Sequence, residues 1–161
     1  MRLKKIEIHN IRSYENAQME FPEGKVLLSG DIGSGKSSIL LAIEFALFGL
    51  QRGVGGSSLL RNGSSKGKVV LNFEVDGKEV IVERVLKRGK DSITQDSCSI
   101  ESDGRKEDIS NLELKSKILS MLNYPQEFLT KNPILYRYTV YTPQEEMKAI
   151  LIEDVETRLN T

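Results

Sequence analysis

One octapeptide constrains this chain more than any other stretch. Gly30-Asp31-Ile32-Gly33-Ser34-Gly35-Lys36-Ser37 fits G-x-x-x-x-G-K-[ST]. It joins a short apolar run, "KVLLSG", to "SSILLAIEFALFG", which is apolar nearly all round and ends at Gly49. A run without alternation reads as a strand buried on both faces, and the apolar segment as a mostly buried helix with a glycine C-terminal stop. Strand, loop and helix therefore stand in the order a phosphate-binding loop needs. The glycines let successive N–H groups turn inward, and the helix adds the positive end of its dipole. A chance match in a chain of this length is on the order of one in 200 at average residue usage, so the loop reads as a nucleotide site. Lys36 would reach the β- and γ-phosphates and Ser37 would offer a hydroxyl to Mg²⁺. Asp31, Ile32, Gly33, Ser34, Gly35 and Ser38 supply the surrounding backbone.

The rest of the chain supplies a frame for that loop. "LKKIEIHNI" and "AQMEF" alternate and form an antiparallel pair. "KVVLNFEVDGKEVIVERVLKRGK" holds two alternating runs joined by Asp76-Gly77, a hairpin, and "SITQDSCSIE" extends the meander to Asp103-Gly104. Residues 49–67, rich in Gly and Ser, read as a flexible or ligand-ordered loop. Residues 111–122 have helical spacing, with Ser110 or Asn111 as N-cap. "PQEEMKAILIEDVETRLNT" opens a last helix that carries no stop signal.

Composition excludes several classes. The 161 residues carry 23 acidic and 23 basic side chains, so no net field argues for nucleic acid or membrane. The distribution is uneven: residues 50–90 hold nine Lys/Arg against four Asp/Glu, and residues 91–161 hold eight against thirteen. One cysteine, Cys98, and one histidine, His9, make neither an internal disulfide nor a zinc set. With no long apolar run, the expectation is a soluble protein without a membrane partner, cytoplasmic and nucleoid-associated in a prokaryote or nuclear in a eukaryote.

Hydrolysis normally needs an acid on a second buried strand as well. Glu74 follows "VVLNF" on a half-exposed strand, and Asp154 follows "AILIE" in helical surroundings; neither fits. A meander after the first helix also argues against the small kinases and GTPases. Two readings remain: a compact phosphotransferase with an unusual acid, or one piece of a split nucleotide-binding domain, and the second is favoured.

"IEIHNIRSYENAQMEF", the phosphate loop, "SSILLAIEFALFG", "LLRNGSSKGKVVLNFEV" and "YTPQEEMKAIL" together resemble the N-terminal half of the ATPase head in SMC-like DNA double-strand-break repair proteins, the Rad-fifty/SbcC group. The resemblance implies an α/β P-loop fold of ABC type, with a mixed sheet, the P-loop strand central, a β-meander and a C-terminal helix leading to a coiled coil. Residues 1–161 would be the N-terminal lobe, with the P-loop at 30–37, a Q-loop around 144 and the coiled-coil helix starting within 145–161. The Walker B acid, the signature motif and a switch histidine would lie in a C-terminal half. The cofactors implied are ATP and Mg²⁺. The partners implied are that C-terminal half, a second head in an ATP-dependent homodimer, a repair nuclease, and double-stranded DNA without sequence preference.

Residue by residue, Gln144 matches the Q-loop glutamine that senses the γ-phosphate and Mg²⁺ and, with Lys36, would serve catalysis. Thr142-Pro143 and Glu145-Glu146 flank it, where relatives often carry arginine and glycine. Arg12 and Ser13 match the loop whose arginine approaches nucleotide phosphates, and Asn62 to Ser65 border the base. Lys66, Lys68, Arg84, Lys87, Arg88 and Lys90 are candidates for neutralising DNA phosphates. A structural SMC-like or RecF-like clamp and a self-sufficient small P-loop phosphotransferase are the rival readings.

Overall fold

Ile6 and Ile8 alternate with Lys5, Glu7 and His9 along β1 (Arg2–Ile11), and the alternation sorts the strand into a buried and a solvent side. The same period runs through β3 (Lys66–Val75) and β4 (Lys78–Arg88), where every second residue from Gly67 to Val75 and from Val80 to Leu86 is buried. With β2 (Tyr14–Glu20), β5 (Ile93–Ser102) and β6 (Arg105–Asp108) they form a six-stranded sheet in the order β2-β1-β3-β4-β5-β6, antiparallel at every pairing. The coordinates are a computed structural model that describes residues 1–50 and 55–124.

Register sets the core. Met19, Ile6, Leu71, Val82 and Ile100 stand opposite one another across five strands, and Ala17, Ile8, Val69, Arg84 and Cys98 form the neighbouring row. The hairpin turns Asp76-Gly77 and Asp103-Gly104 hold both central residues at positive φ, 51° and 75°, then 53° and 74°. That geometry matches the twist of the flanking strands and locks their register.

Helix α1 (Lys36–Phe48) lies on this face against β1, β3 and β4. Nine of its thirteen residues are buried, as its all-round apolarity requires. Gly49 ends it at φ 75°, its N–H bonded to the Phe45 carbonyl. Helix α2 (Asn111–Met121) packs Leu114, Ile118 and Leu119 against β5 and α1. Its N-cap is Ser110 in a full capping box: Ser110 Oγ accepts from the Glu113 N–H, and the Glu113 carboxylate accepts from the Ser110 N–H.

Two sequence expectations change. Residues 25–30, read as the central strand, lie outside the described sheet: Val26 is 44% and Leu27 88% exposed. An apolar run forms a buried strand only beside neighbours, and the six described strands already pair among themselves. Within residues 49–67, read as a flexible or ligand-ordered loop, the described part from Gly55 is anchored to the fold at Gly56, Leu59 and Leu60. A 3₁₀ turn at Gly56–Ser58 delivers Leu59 and Leu60, both 3% exposed, to the core, and Leu60 bridges Ile11.

Candidate functional site

The phosphate loop lies between segment 25–30 and α1. Gly30, Gly33 and Gly35 take φ values of 148°, 84° and 95°, a backbone path that other residues adopt at a cost. Gly35 is also held by contact: a Cβ there would stand 2.7 Å from the Tyr14 hydroxyl. Lys36 folds back over the loop. Its Nζ donates to the carbonyls of Gly30 and Asp31, both at 2.7 Å, and to Ser34 Oγ at 3.2 Å.

The N-terminus of α1 has no side-chain cap and no acidic residue in its first turn. Its first N–H groups therefore keep their partial positive charge for an incoming anion. Ser37 is exposed in that turn, Ser38 is buried beneath it, and Asp31, Ile32 and Ser34 are exposed on the rim. An ammonium group, a helix N-terminus without a side-chain cap and an exposed hydroxyl stand at this loop, which is the donor set that a polyphosphate with a bound divalent cation requires.

Arg12 and Ser13 form the turn between β1 and β2, with Arg12 at φ 50°. The next residue, Tyr14, lays its ring on Gly35 and points its hydroxyl at the Ser34 carbonyl, 3.4 Å away. The fold thus brings the Arg12–Ser13 turn beside the phosphate loop. Residues 59–61 hold its far side. The Arg12 N–H bonds the Leu59 carbonyl at 2.7 Å, the Arg61 N–H bonds the Asn10 carbonyl at 3.0 Å, and the Arg61 guanidinium donates to Ser13 O and Glu15 Oε1, each at 2.8 Å. Tyr14 and Arg61 escaped the sequence reading. The apolar pair Leu59-Leu60 inside a Gly/Ser tract was the one available sign that this segment is anchored.

Asn62 to Ser65 follow in a tight turn closed by Ser64 N–H to Arg61 O at 3.1 Å. Arg88 steadies it by donating to the carbonyls of Ser64 at 2.9 Å and Arg61 at 3.4 Å. Among the other basic candidates, Asp96 lies 3.6 Å from Lys66 and 3.9 Å from Lys87, Glu83 lies 3.9 Å from Lys68, and Lys90 is exposed. Such exposed pairs are weak and leave the lysines able to exchange partners.

Arg84 is corrected. It is 1% exposed and donates to the α1 carbonyls of Ala46 at 2.8 Å and Leu47 at 3.3 Å, to Asn111 Oδ1 at 3.2 Å and to Gln95 Oε1 at 3.3 Å. No DNA phosphate can reach it. Glu74 is salt-bridged to Arg2 at 3.0 Å and Lys4 at 3.3 Å; the Lys4 hydrogen bond, then the Arg2 charge, hold its pKa below the usual carboxylate value. Gln144, Asp154 and the rest of the last helix lie outside the described residues, and no group of three or more His, Cys, Asp or Glu among the described residues is placed to bind a metal. No helix among the described residues is long and apolar enough to cross a membrane.

A glycine-rich loop on the N-terminus of a buried helix, with its lysine turned into the loop and an antiparallel meander behind, defines a P-loop nucleotide-binding lobe. The chain belongs to the AAA domain family, which it matches over residues 5–161. It is 30% identical over 156 residues to the DNA double-strand break repair Rad50 ATPase of Methanosarcina acetivorans, covering 94% of this chain and 14% of that protein. The Rad50 ATPase of Thermoplasma volcanium is 30% identical over 164 residues, covering 98% and 17%. Among solved structures, the recombination mediator protein RecF-ATPrS of the RecFOR pathway has a TM-score of 0.55 at 28% identity, covering 70% of this chain and 29% of that one. The SMC head domain from Thermotoga maritima has a TM-score of 0.51 at 25% identity, covering 73% and 42%. The chain thus spans about one sixth of the length of these two curated relatives. Its fold class is the α/β P-loop ATPase head.

Proposed function

We propose that this chain is the N-terminal lobe of an ABC-type ATPase head that binds ATP with Mg²⁺ and, joined to a C-terminal half, hydrolyses it to drive head closure and opening in DNA double-strand-break repair. The observation that carries the reading is Lys36. Among the described residues its ammonium group is held over the loop by neutral oxygens, beside a helix N-terminus without a side-chain cap. A phosphate offers that ammonium a charge-assisted partner in place of neutral carbonyls, so nucleotide entry would draw it outward.

In this reading Lys36 holds the β- and γ-phosphates, Ser37 the metal, Arg12 a phosphate from the side, and Gln144 the γ-phosphate and metal. The exposed apolar segment 25–30 supports the need for a second piece. Burying Leu27 beside a new strand would stabilise the assembly by roughly 1.5 to 3 kcal/mol, and Val26, less exposed, would add less. The C-terminal half would supply that strand and the missing acid. A second head would complete each nucleotide site, and a repair nuclease would use the resulting motion. Lys66, Lys68, Lys87, Arg88 and Lys90 would contact DNA phosphates without reading sequence, so affinity should fall steeply with added salt.

The likeness to RecF favours one other reading, a structural clamp in which nucleotide binding only organises DNA association. Binding of Mg-ATP to the wild-type chain and to Lys36→Ala tests the site that both readings share. Equal affinity in the two would remove both.

A further inference from the structure

We propose that Arg61 is a positioning residue that sets the Arg12–Ser13 turn against the phosphate loop and acts on the nucleotide only through Arg12. The inference rests on the nucleotide-binding reading above and adds a residue to it.

The end of β1 and the turn each hold a non-glycine residue in the left-handed region, Asn10 at φ 51° and Arg12 at φ 50°. Such conformations persist only where the surroundings over-determine them. Here the surroundings are one short segment and one ring. On the outer side, Leu59 and Arg61 meet the backbone of Arg12 and Asn10, while Leu60 bridges the fully buried Ile11 and roots the segment in the core. On the inner side, the Tyr14 ring rests on Gly35.

The Arg61 side chain closes the arrangement. Its planar fork places one nitrogen on Ser13 O and the other on Glu15 Oε1, both at 2.8 Å, spanning the turn to the start of β2. A fork that meets a backbone carbonyl and an exposed carboxylate at once is specific to arginine; a lysine meets one or the other. Without Arg61, the Ser13 carbonyl loses its donor and the turn can relax about Arg12. The phosphate loop itself keeps Lys36 and its glycines. Tyr14, between the two residues that Arg61 holds, rests on Gly35 and offers a second route to the loop; the effect is assigned to Arg12, the charged residue of the turn, and the two routes differ in whether the loss survives removal of Arg12.

A double-mutant cycle reads this out. Mg-ATP affinity and thermal midpoint are measured by calorimetry on the full chain as wild type, R61Q, R12A, the R12A/R61Q pair and K36A. R61Q is expected to weaken ATP binding about tenfold when Arg12 is present, the loss of a charge-assisted hydrogen-bond pair, and less than about twofold in the R12A background. An equal loss in both backgrounds would overturn the proposal, because a general loosening of the lobe does not need Arg12. An R12A variant that binds ATP as well as wild type, while K36A does not, would overturn it and leave the nucleotide site standing. Equal binding by wild type and K36A would remove the nucleotide reading and the proposal with it. If R61Q is unfolded at the assay temperature, the cycle is run with R61K under the same criteria.

Discussion

Arg84 shows what a single side chain settles in this fold. Its guanidinium is buried with four neutral acceptors, two of them carbonyls at the negative end of α1, so the helix dipole takes the place of a counter-ion. Burial lowers its pKa to about 10, which still leaves it charged at neutral pH. Arg84→Met is expected to cost about 3 kcal/mol in urea unfolding, since the charge-assisted bonds vanish and buried carbonyls lose their donor. Lys36→Ala should instead change stability by less than about 0.5 kcal/mol while removing ATP binding, because among the described residues Lys36 bonds to the exposed loop. Cys98 is 5% exposed and donates to the Ile109 carbonyl at 3.0 Å, and burial pushes its thiol pKa up. It should resist iodoacetamide until the chain is denatured. The unfolded chain also loses that proton first as pH rises, so this contribution to stability declines above about pH 9. The role of Arg84 was open to reading: it falls in phase with Val80, Val82 and Leu86, which marks the inward side of the strand.

At the scale of elements, what could be read depended on whether an element finds its partners nearby in the chain. The Asp-Gly hairpins, α1 and α2 are local, and their periodicity, turn residues and caps announced them. The α2 capping box is expected to contribute about 1 kcal/mol; Ser110→Ala should lose that much in chemical denaturation. Residues 55–65 were harder, because Gly and Ser announce a loop whether or not it is anchored; the anchor is two leucines and an arginine whose targets lie about 50 residues earlier. Residues 25–30 carry the apolar signature of a buried strand, but composition cannot say whose strands lie beside it. Leu27, at 88% exposure, gives a direct test. Leu27→Glu should leave the thermal midpoint of this chain unchanged and block its association with the C-terminal half in a pull-down.

Across the whole molecule, the described residues form a lobe with a binding loop and an unpartnered apolar segment, and the carboxylate nearest to the expected acid in sequence, Glu74, is already paired with cations on the solvent side of the sheet. In the proposed reading, binding and turnover are separable. The fold class and the phosphate loop were legible because both rest on short-range patterns; the Arg12 mount depends on contacts made only once the sheet is assembled. The central claim is that this lobe holds ATP and that another piece makes it hydrolyse. Steady-state ATP turnover by the purified chain, alone and then mixed with the C-terminal half, tests it most directly. The account predicts no turnover alone and recovery on mixing. Turnover by the chain alone at the rate of the mixture would contradict it.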